Sequence, residues 1–155
     1  MERRDFLVGS SSATALALAA ASGLTPAHAQ NAAGWNKAAF DSKTLADAAK
    51  ALGASSAPVE SKDLILQAPE IAENGAVVRI GAQSNIANTS QISFVVEKNP
   101  SALAASFDIP AGTDANVSTN IKMGQSSNVY ALVKAGDKYF YAVKEVKVTL
   151  GGCGG

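Results

Sequence analysis

The chain has 155 residues, with 13 Lys+Arg balanced by 13 Asp+Glu, one His and one Cys, a size that suits one domain with a modest core. The absence of net charge leaves no basic footprint for nucleic acid, and a lone cysteine excludes an internal disulfide, a cysteine-based metal site and an iron–sulfur cluster. The single histidine, His28, lies in a segment expected to be cut away, so the mature chain has no Ser-His-Asp or Cys-His catalytic arrangement, no histidine metal ligand and no histidine general base.

That segment, residues 1–29, has the three parts of an export signal. Arg3-Arg4, followed one residue later by Phe6-Leu7, is the twin-arginine pattern, with Glu2 where Ser or Thr is usual. The stretch from Val8 to Leu24 is interrupted by Gly9 and Gly23 and is too mildly apolar to remain as a membrane span. Pro26-Ala27-His28-Ala29 then offers the small residues of an A-x-A cleavage site. The mature protein is expected to begin near Gln30 and to be free in the periplasm, not held by an uncut anchor. Loss of Arg3, Arg4, Glu2 and Asp5 takes the charge count from 13 against 13 to 11 against 11, still balanced.

From Trp35 to Leu52, Ala, Leu and Lys dominate, with no Pro and no Gly, which is helix composition. Leu45, Ala48, Ala49 and Leu52 share one face, Ser42 or Thr44 is placed to cap the start, and Gly53 sits where a left-handed stop belongs. One amphipathic helix is predicted over 43–52, preceded by a helical turn over 35–40.

Beyond Pro58 the apolar spacing becomes alternating. Strands are predicted at 64–67, 76–82, 91–97, 104–108, 116–122, 127–134 and 139–149. The breaks between them fall at Asn74-Gly75, Asn99-Pro100, Pro110-Ala111-Gly112, Met123-Gly124 and Ala135-Gly136-Asp137, residue types that tight turns require. About seven short strands at that spacing predict a mainly β fold, an immunoglobulin-like antiparallel β-sandwich with a short N-terminal helix. In the last strand a bulge is expected at Lys144-Glu145, where apolar alternation breaks between Val143 and Val146. The aromatic residues Trp35, Phe40, Tyr130, Tyr139, Phe140 and Tyr141 are expected in the core and not on a partner surface. Glu70, Glu73, Asp108 and Asp114 lie among turn signals and are expected in solvent, with no acid–base or metal role.

The expected organisation is thus a leader over 1–29, a sandwich over 30–150, and an arm over 151–155. That arm, Gly151-Gly152-Cys153-Gly154-Gly155, carries the chemistry. Glycines on both sides of a lone thiol remove neighbouring side chains and free the backbone. Three extended residues place the cysteine about 10 Å beyond the last strand, where it can enter a narrow pocket on another protein. A buried structural cysteine is disfavoured because a glycine run offers nothing to bury it. An intermolecular disulfide linking two copies through Cys153 is expected as a side reaction. An ordinary thiol pKa of about 8.5 leaves only a minority as thiolate at neutral pH. The arm has no cation to change that, so activation falls to whatever site the arm visits. The chain therefore looks like a holder of a covalent substrate that brings no cofactor and no metal of its own, and not like an enzyme.

At this point the sequence resembles the SoxY family, the sulfur-carrying subunits of the Sox thiosulfate-oxidising system. The resemblance rests on the run from Val146 to Gly155, and on Ile71-Ala72-Glu73-Asn74-Gly75, Val96-Glu97-Lys98-Asn99-Pro100, Leu103-Ala104-Ala105-Ser106-Phe107 and Ile121-Lys122-Met123-Gly124-Gln125. It implies an immunoglobulin-like fold and a heterodimer with SoxZ, with Cys153 as the attachment point on an arm of Gly151, Gly152, Gly154 and Gly155. It also implies transient partners: SoxAX, a haem protein that couples thiosulfate to the cysteine; SoxB, a metal-dependent hydrolase that releases sulfate; and other Sox enzymes that act on the remaining sulfur. Haem and metals belong to those partners.

Two other readings compete. A ubiquitin-like carrier holds sulfur as a thiocarboxylate on a terminal Gly-Gly, which Gly154-Gly155 satisfies literally, but its activation needs ATP and its fold is smaller than seven strands. An exported structural or adhesion sandwich would use Cys153 only for cross-linking.

Overall fold

The structure, a computed structural model, describes residues 36–149. The leader over 1–29 with its cleavage site, Trp35, and the arm over 151–155 lie outside the described residues.

The two helices follow from local capping. Helix α1 (Lys37–Phe40) is capped by Asn36, whose side chain accepts from the Ala39 N–H at 3.1 Å. The same side chain donates to the Ala51 carbonyl at 2.7 Å, tying α1 to helix α2 (Leu45–Ala51). Thr44, not Ser42, caps α2: it is extended at φ −129°, and its Oγ1 accepts from Asp47 N–H at 3.1 Å. That geometry moves the helix start from the expected Lys43 to Leu45. Ser42 is buried instead, and its Oγ has no hydrogen-bond partner. At the other end Gly53 has φ +102°, with Gly53 N–H bonding Lys50 O at 3.0 Å and Ala54 N–H bonding Ala49 O at 2.9 Å. This is a Schellman stop, open to glycine because it carries no Cβ.

Nine strands follow among the described residues: β1 (Val59–Glu60), β2 (Leu64–Gln67), β3 (Ile71–Ala72), β4 (Val78–Ser84), β5 (Thr89–Val96), β6 (Leu103–Asp108), β7 (Asn116–Ile121), β8 (Ser127–Ala135) and β9 (Lys138–Val148). One sheet runs β1-β9-β8-β5-β6, with β3 also on β9; the other runs β2-β4-β7. The inner faces enclose Ile80, Ile92, Phe94, Met123, Val129 and Val146, each 1% exposed or less. Phe94 meets Phe107 edge-on at 6.3 Å. The helices form a third layer on the outer face of the larger sheet, where Ala39 and Ala48 pack on Val95 and Leu103, and Ala49 packs on Leu132 and Tyr139. The expected immunoglobulin-like β-sandwich with a short helical lead-in is thus what the chain forms.

Two expectations of detail are corrected. The seven predicted strands are joined by β1 and β3, each two residues long, too short for any periodicity to register. Both pair in parallel with β9, at Val59↔Phe140 and Ile71↔Lys147, while β2 between them crosses to the other sheet. The bulge expected at Lys144-Glu145 is absent: β9 pairs with β8 without a break from Lys138 to Val146. Regular pleating puts Lys144 on the face it shares with buried Val146 and leaves Val143 40% exposed. The lysine reaches out of that face, and its ammonium donates to the Ala68 carbonyl at 2.8 Å, so no bulge is needed to keep charge out of the core. Register shifts occur in β5 instead, at Thr89/Gln91 and Phe94/Val95.

Tyr139 joins the helical layer to the sheet. It is 3% exposed and its hydroxyl donates to the Leu52 carbonyl at 2.6 Å. Burial pushes its phenol above the ordinary tyrosine value. Removing the hydroxyl in Tyr139→Phe is expected to cost about 1 kcal/mol at neutral pH, measured by urea unfolding. A raised folded-state pKa means stability that is complete below the unfolded value of about 10 and lost as pH climbs through the folded one. The deficit of the phenylalanine variant should therefore shrink as unfolding is followed into that alkaline range.

Candidate functional site

Cys153 and Gly151, Gly152, Gly154 and Gly155 lie outside the described residues, so the site is described here from its root: the last described turn of chain before the arm. β9 reaches that root as the longest strand of the fold, 11 residues ending at Val148. It is launched by a two-residue hairpin loop whose first position, Gly136, has φ +60°, the arrangement that matches strand twist in a type II′ turn.

The end of β9 is fastened on both edges. On one edge, Lys147 N–H donates to Glu70 O at 2.9 Å and Thr149 N–H to Ala72 O at 3.1 Å. The Thr149 hydroxyl also lies 3.5 Å from Glu73 O. On the other edge, Ser127 pairs with Val146, and the Val148 N–H donates to Ser126 Oγ at 2.9 Å. The alternation of backbone donors along a strand makes this possible, since odd-numbered groups here serve the β3 side and even-numbered groups the β8 side. Thr149, the last described residue, thus stands at a fixed point, and Cys153 lies four residues past it in the sequence.

Gly75 makes the close packing of this end possible. A Cβ there would stand 2.4 Å from Met123 O and 2.9 Å from Val148 Cγ1. The space is closed because Met123 N–H donates to Gly75 O at 2.7 Å, drawing the β3–β4 and β7–β8 loops together beneath the last valine. The Asn74 side chain accepts from Ala76 N–H at 2.9 Å, an Asx turn that delays β4 from the expected Ala76 to Val78.

A second set of bonds ties in the β5–β6 loop. Lys98 N–H donates to Ser127 Oγ at 3.0 Å, Asn99 Nδ2 to Lys122 O at 2.7 Å, and Gly124 N–H to Asn99 Oδ1 at 3.3 Å. Sequence reading marked Asn74-Gly75, Asn99-Pro100 and Met123-Gly124 as separate turns; the fold assembles them around one strand end. The contribution of Ser126 and of the Glu70–Glu73 backbone left no sequence signal, because it depends on which strands become neighbours of β9.

Beside the root lies an open groove of about 590 Å³, bordered by Ala72, Glu73, Val77, Arg79 and Lys144. Glu70, Glu73, Asp108 and Asp114 are exposed as expected. Among the aromatics, Tyr139 is buried, and Phe40, Tyr130, Phe140 and Tyr141 are half-buried. Tyr130 stands edge-on to Tyr141 at 5.9 Å; burial first, and then the nearby Glu97 carboxylate, raise its phenol above the ordinary value. Among the described residues no group of three His, Cys, Asp or Glu side chains is placed to hold a metal ion, and no helix is long and apolar enough to cross a membrane.

Three comparisons bear on this geometry. The family described as "Sulfur oxidation protein SoxY" matches residues 48–153, a span that includes Cys153. Among solved structures, the sulfur carrier protein SoxY from Chlorobium limicola f thiosulfatophilum is 38% identical, with a TM-score of 0.63 over 74% of this chain and 99% of its own. A variant of superoxide reductase (neelaredoxin) from Ignicoccus hospitalis superimposes with a TM-score of 0.50 over 64% of this chain and 87% of its own. At 17% identity that second likeness shows the fold alone. A comparison with curated protein sequences finds no match.

Replacing Gly75 with Ala should loosen the root. The new methyl must displace a backbone carbonyl, so a loss of about 1–3 kcal/mol is expected in denaturant unfolding. Amide exchange should speed up most at Val148 and Thr149, and least at Val133 in the middle of β8.

Proposed function

The chain belongs to the SoxY family of sulfur oxidation proteins, and from that premise we propose that it is a periplasmic carrier whose Cys153 holds thiosulfate-derived sulfur while partner enzymes work on it. Its role as a sulfur carrier follows from the family; the location, the residue and the intermediates are our reading. The observation that carries it is the two-edged fastening of β9 up to Thr149, which gives a glycine-flanked thiol four residues away a fixed origin. A thiol without neighbouring side chains can enter a pocket from which the bulk of the sandwich is excluded.

In this reading the Cys153 thiol and thiosulfate form an S–S bond, giving a cysteine S-thiosulfonate, one released proton and two electrons. The electrons pass to the haem of a SoxAX-type partner. Water then cleaves the bond to the terminal SO₃ group in a SoxB-type hydrolase, releasing sulfate and a proton and leaving a persulfide on Cys153. The carrier contributes the sulfur nucleophile and its reach, and the partners contribute the redox centre and the metal. Export by the twin-arginine route, which carries folded proteins, suits a chain that leaves together with a SoxZ subunit.

Mass spectrometry of protein isolated without reductant is the direct test. Discrete adducts of sulfur, thiosulfate or sulfonate mass on Cys153 are expected, and Cys153→Ser should lose all of them while keeping its melting temperature, because a hydroxyl is a far weaker nucleophile at neutral pH. Adducts that persist in the serine variant would point to a terminal thiocarboxylate, and a disulfide-linked species alone would point to a cross-linker. Gly151→Val with Gly152→Val should keep the thiol reactive to iodoacetamide but slow its turnover by partner enzymes, since β-branching stiffens the arm. Equal partner turnover would show that arm flexibility is not required.

A further inference from the structure

The arm's length decides where on the sandwich a partner must sit. Four residues from Thr149 to Cys153 span at most about 14 Å. β9 alone, at 11 residues, is about 36 Å long. An enzyme docked at the far hairpin around Gly136 cannot receive the thiol. Its channel mouth has to rest on the ring of loops around Thr149.

That ring has a definite charge layout. Lys98 and Lys122 are both exposed, and their backbones are locked together through Asn99, which bonds Lys122 O and Gly124 N–H, and through Gln125 Nε2, 3.4 Å from Lys98 O. Neither lysine forms an ion pair among the described residues, where the pair found is Lys37–Asp41. The nearest carboxylate in sequence, Glu97, is engaged by Asn128 Nδ2 at 3.1 Å and Tyr130 Oη at 3.4 Å. On the β3 edge of the root Glu70, Glu73 and Lys147 are exposed as well, and the Glu73 carbonyl lies 3.5 Å from the Thr149 hydroxyl. Lys98 and Lys122 thus put two positive charges, without an ion pair among the described residues, on loops that are bonded to each other.

We propose that Lys98 and Lys122 form the docking rim for the enzymes that act on Cys153, and that these enzymes present an acidic border at the mouth of a channel no deeper than about 14 Å. The lysine pair speeds encounter with such a border. The proposal rests on the carrier reading of Cys153.

The test compares two charge-matched variants of the mature chain, each combined with SoxZ. One is Lys98→Glu with Lys122→Glu. The other is Lys50→Glu with Lys138→Glu, both exposed positions away from the root. Loading of Cys153 by SoxAX and thiosulfate is followed by mass, with iodoacetamide labelling as a measure of the thiol itself. The rim variant is expected to load about tenfold more slowly at low ionic strength, with the gap closing as salt is added. The control should stay within about twofold of wild type, and iodoacetamide should label all three alike. Loading of the rim variant at the wild-type rate, or an equal loss in the control, overturns the docking proposal. If the wild-type chain itself is not loaded, the carrier reading falls with it.

Discussion

The constraint on which the rest depends is the fastening of one strand end on both of its edges. Each backbone bond there, from Lys147 and Thr149 on one side and Val148 on the other, contributes only about 1 kcal/mol net. Their importance is positional. A strand end held from one side frays, and a tether that begins on a frayed strand has no defined length. Held from both sides, β9 delivers the chain to Thr149 as a rigid post, so the reach of whatever follows is set by residue count alone.

The same need accounts for the arrangement of β1, β2 and β3. A long last strand at a sheet edge would expose a row of unpaired backbone groups. Here β1 covers β9 at Phe140-Tyr141 and β3 covers it at Lys147-Val148, while β2 crosses to β4 in the other sheet. The uncovered middle of β9 is short, carries Val143 and Glu145 on its outer face, and has Lys144 spanning to Ala68. A charged side chain at the gap and two brief strands beside it make the edge a poor template for pairing with another chain.

Much of this was legible in the sequence, and the exceptions share a cause. The helix α2, its glycine stop at Gly53 and the seven longer strands announce themselves through local spacing and turn residues. Two-residue strands cannot, since alternation needs length, and their partner is more than seventy positions away in the chain. The misplaced bulge is instructive: alternation broken at Lys144 reads as an inserted residue only if a lysine cannot occupy an inward position. A sheet edge with a carbonyl within reach of the ammonium removes that premise. The candidate thiol stood out because nothing near it in sequence competes with it. Its foundation did not, because Gly75, Ser126 and Asn99 act on β9 only after the sandwich has closed.

The stretches that carry the family resemblance lie far apart in the chain, yet the fold gathers them. Ile71–Gly75 contains β3 and the loop beneath Val148; Val96–Pro100 ends β5 and holds Asn99; Leu103–Phe107 begins where β6 leaves that loop; Ile121–Gln125 ends β7 and supplies Met123 and Lys122. Three of them and Leu103 meet at the end of the sandwich where β9 stops, whereas β6 carries Phe107 away to pair with Ile92, toward the hairpin around Gly136. The likeness itself spans the domain, over residues 48–153, and the loops at this end are held in place by sheets to which every matched stretch contributes. Whatever follows Thr149 inherits its position from these loops, because each of them is bonded to β9 or to a neighbour of β9.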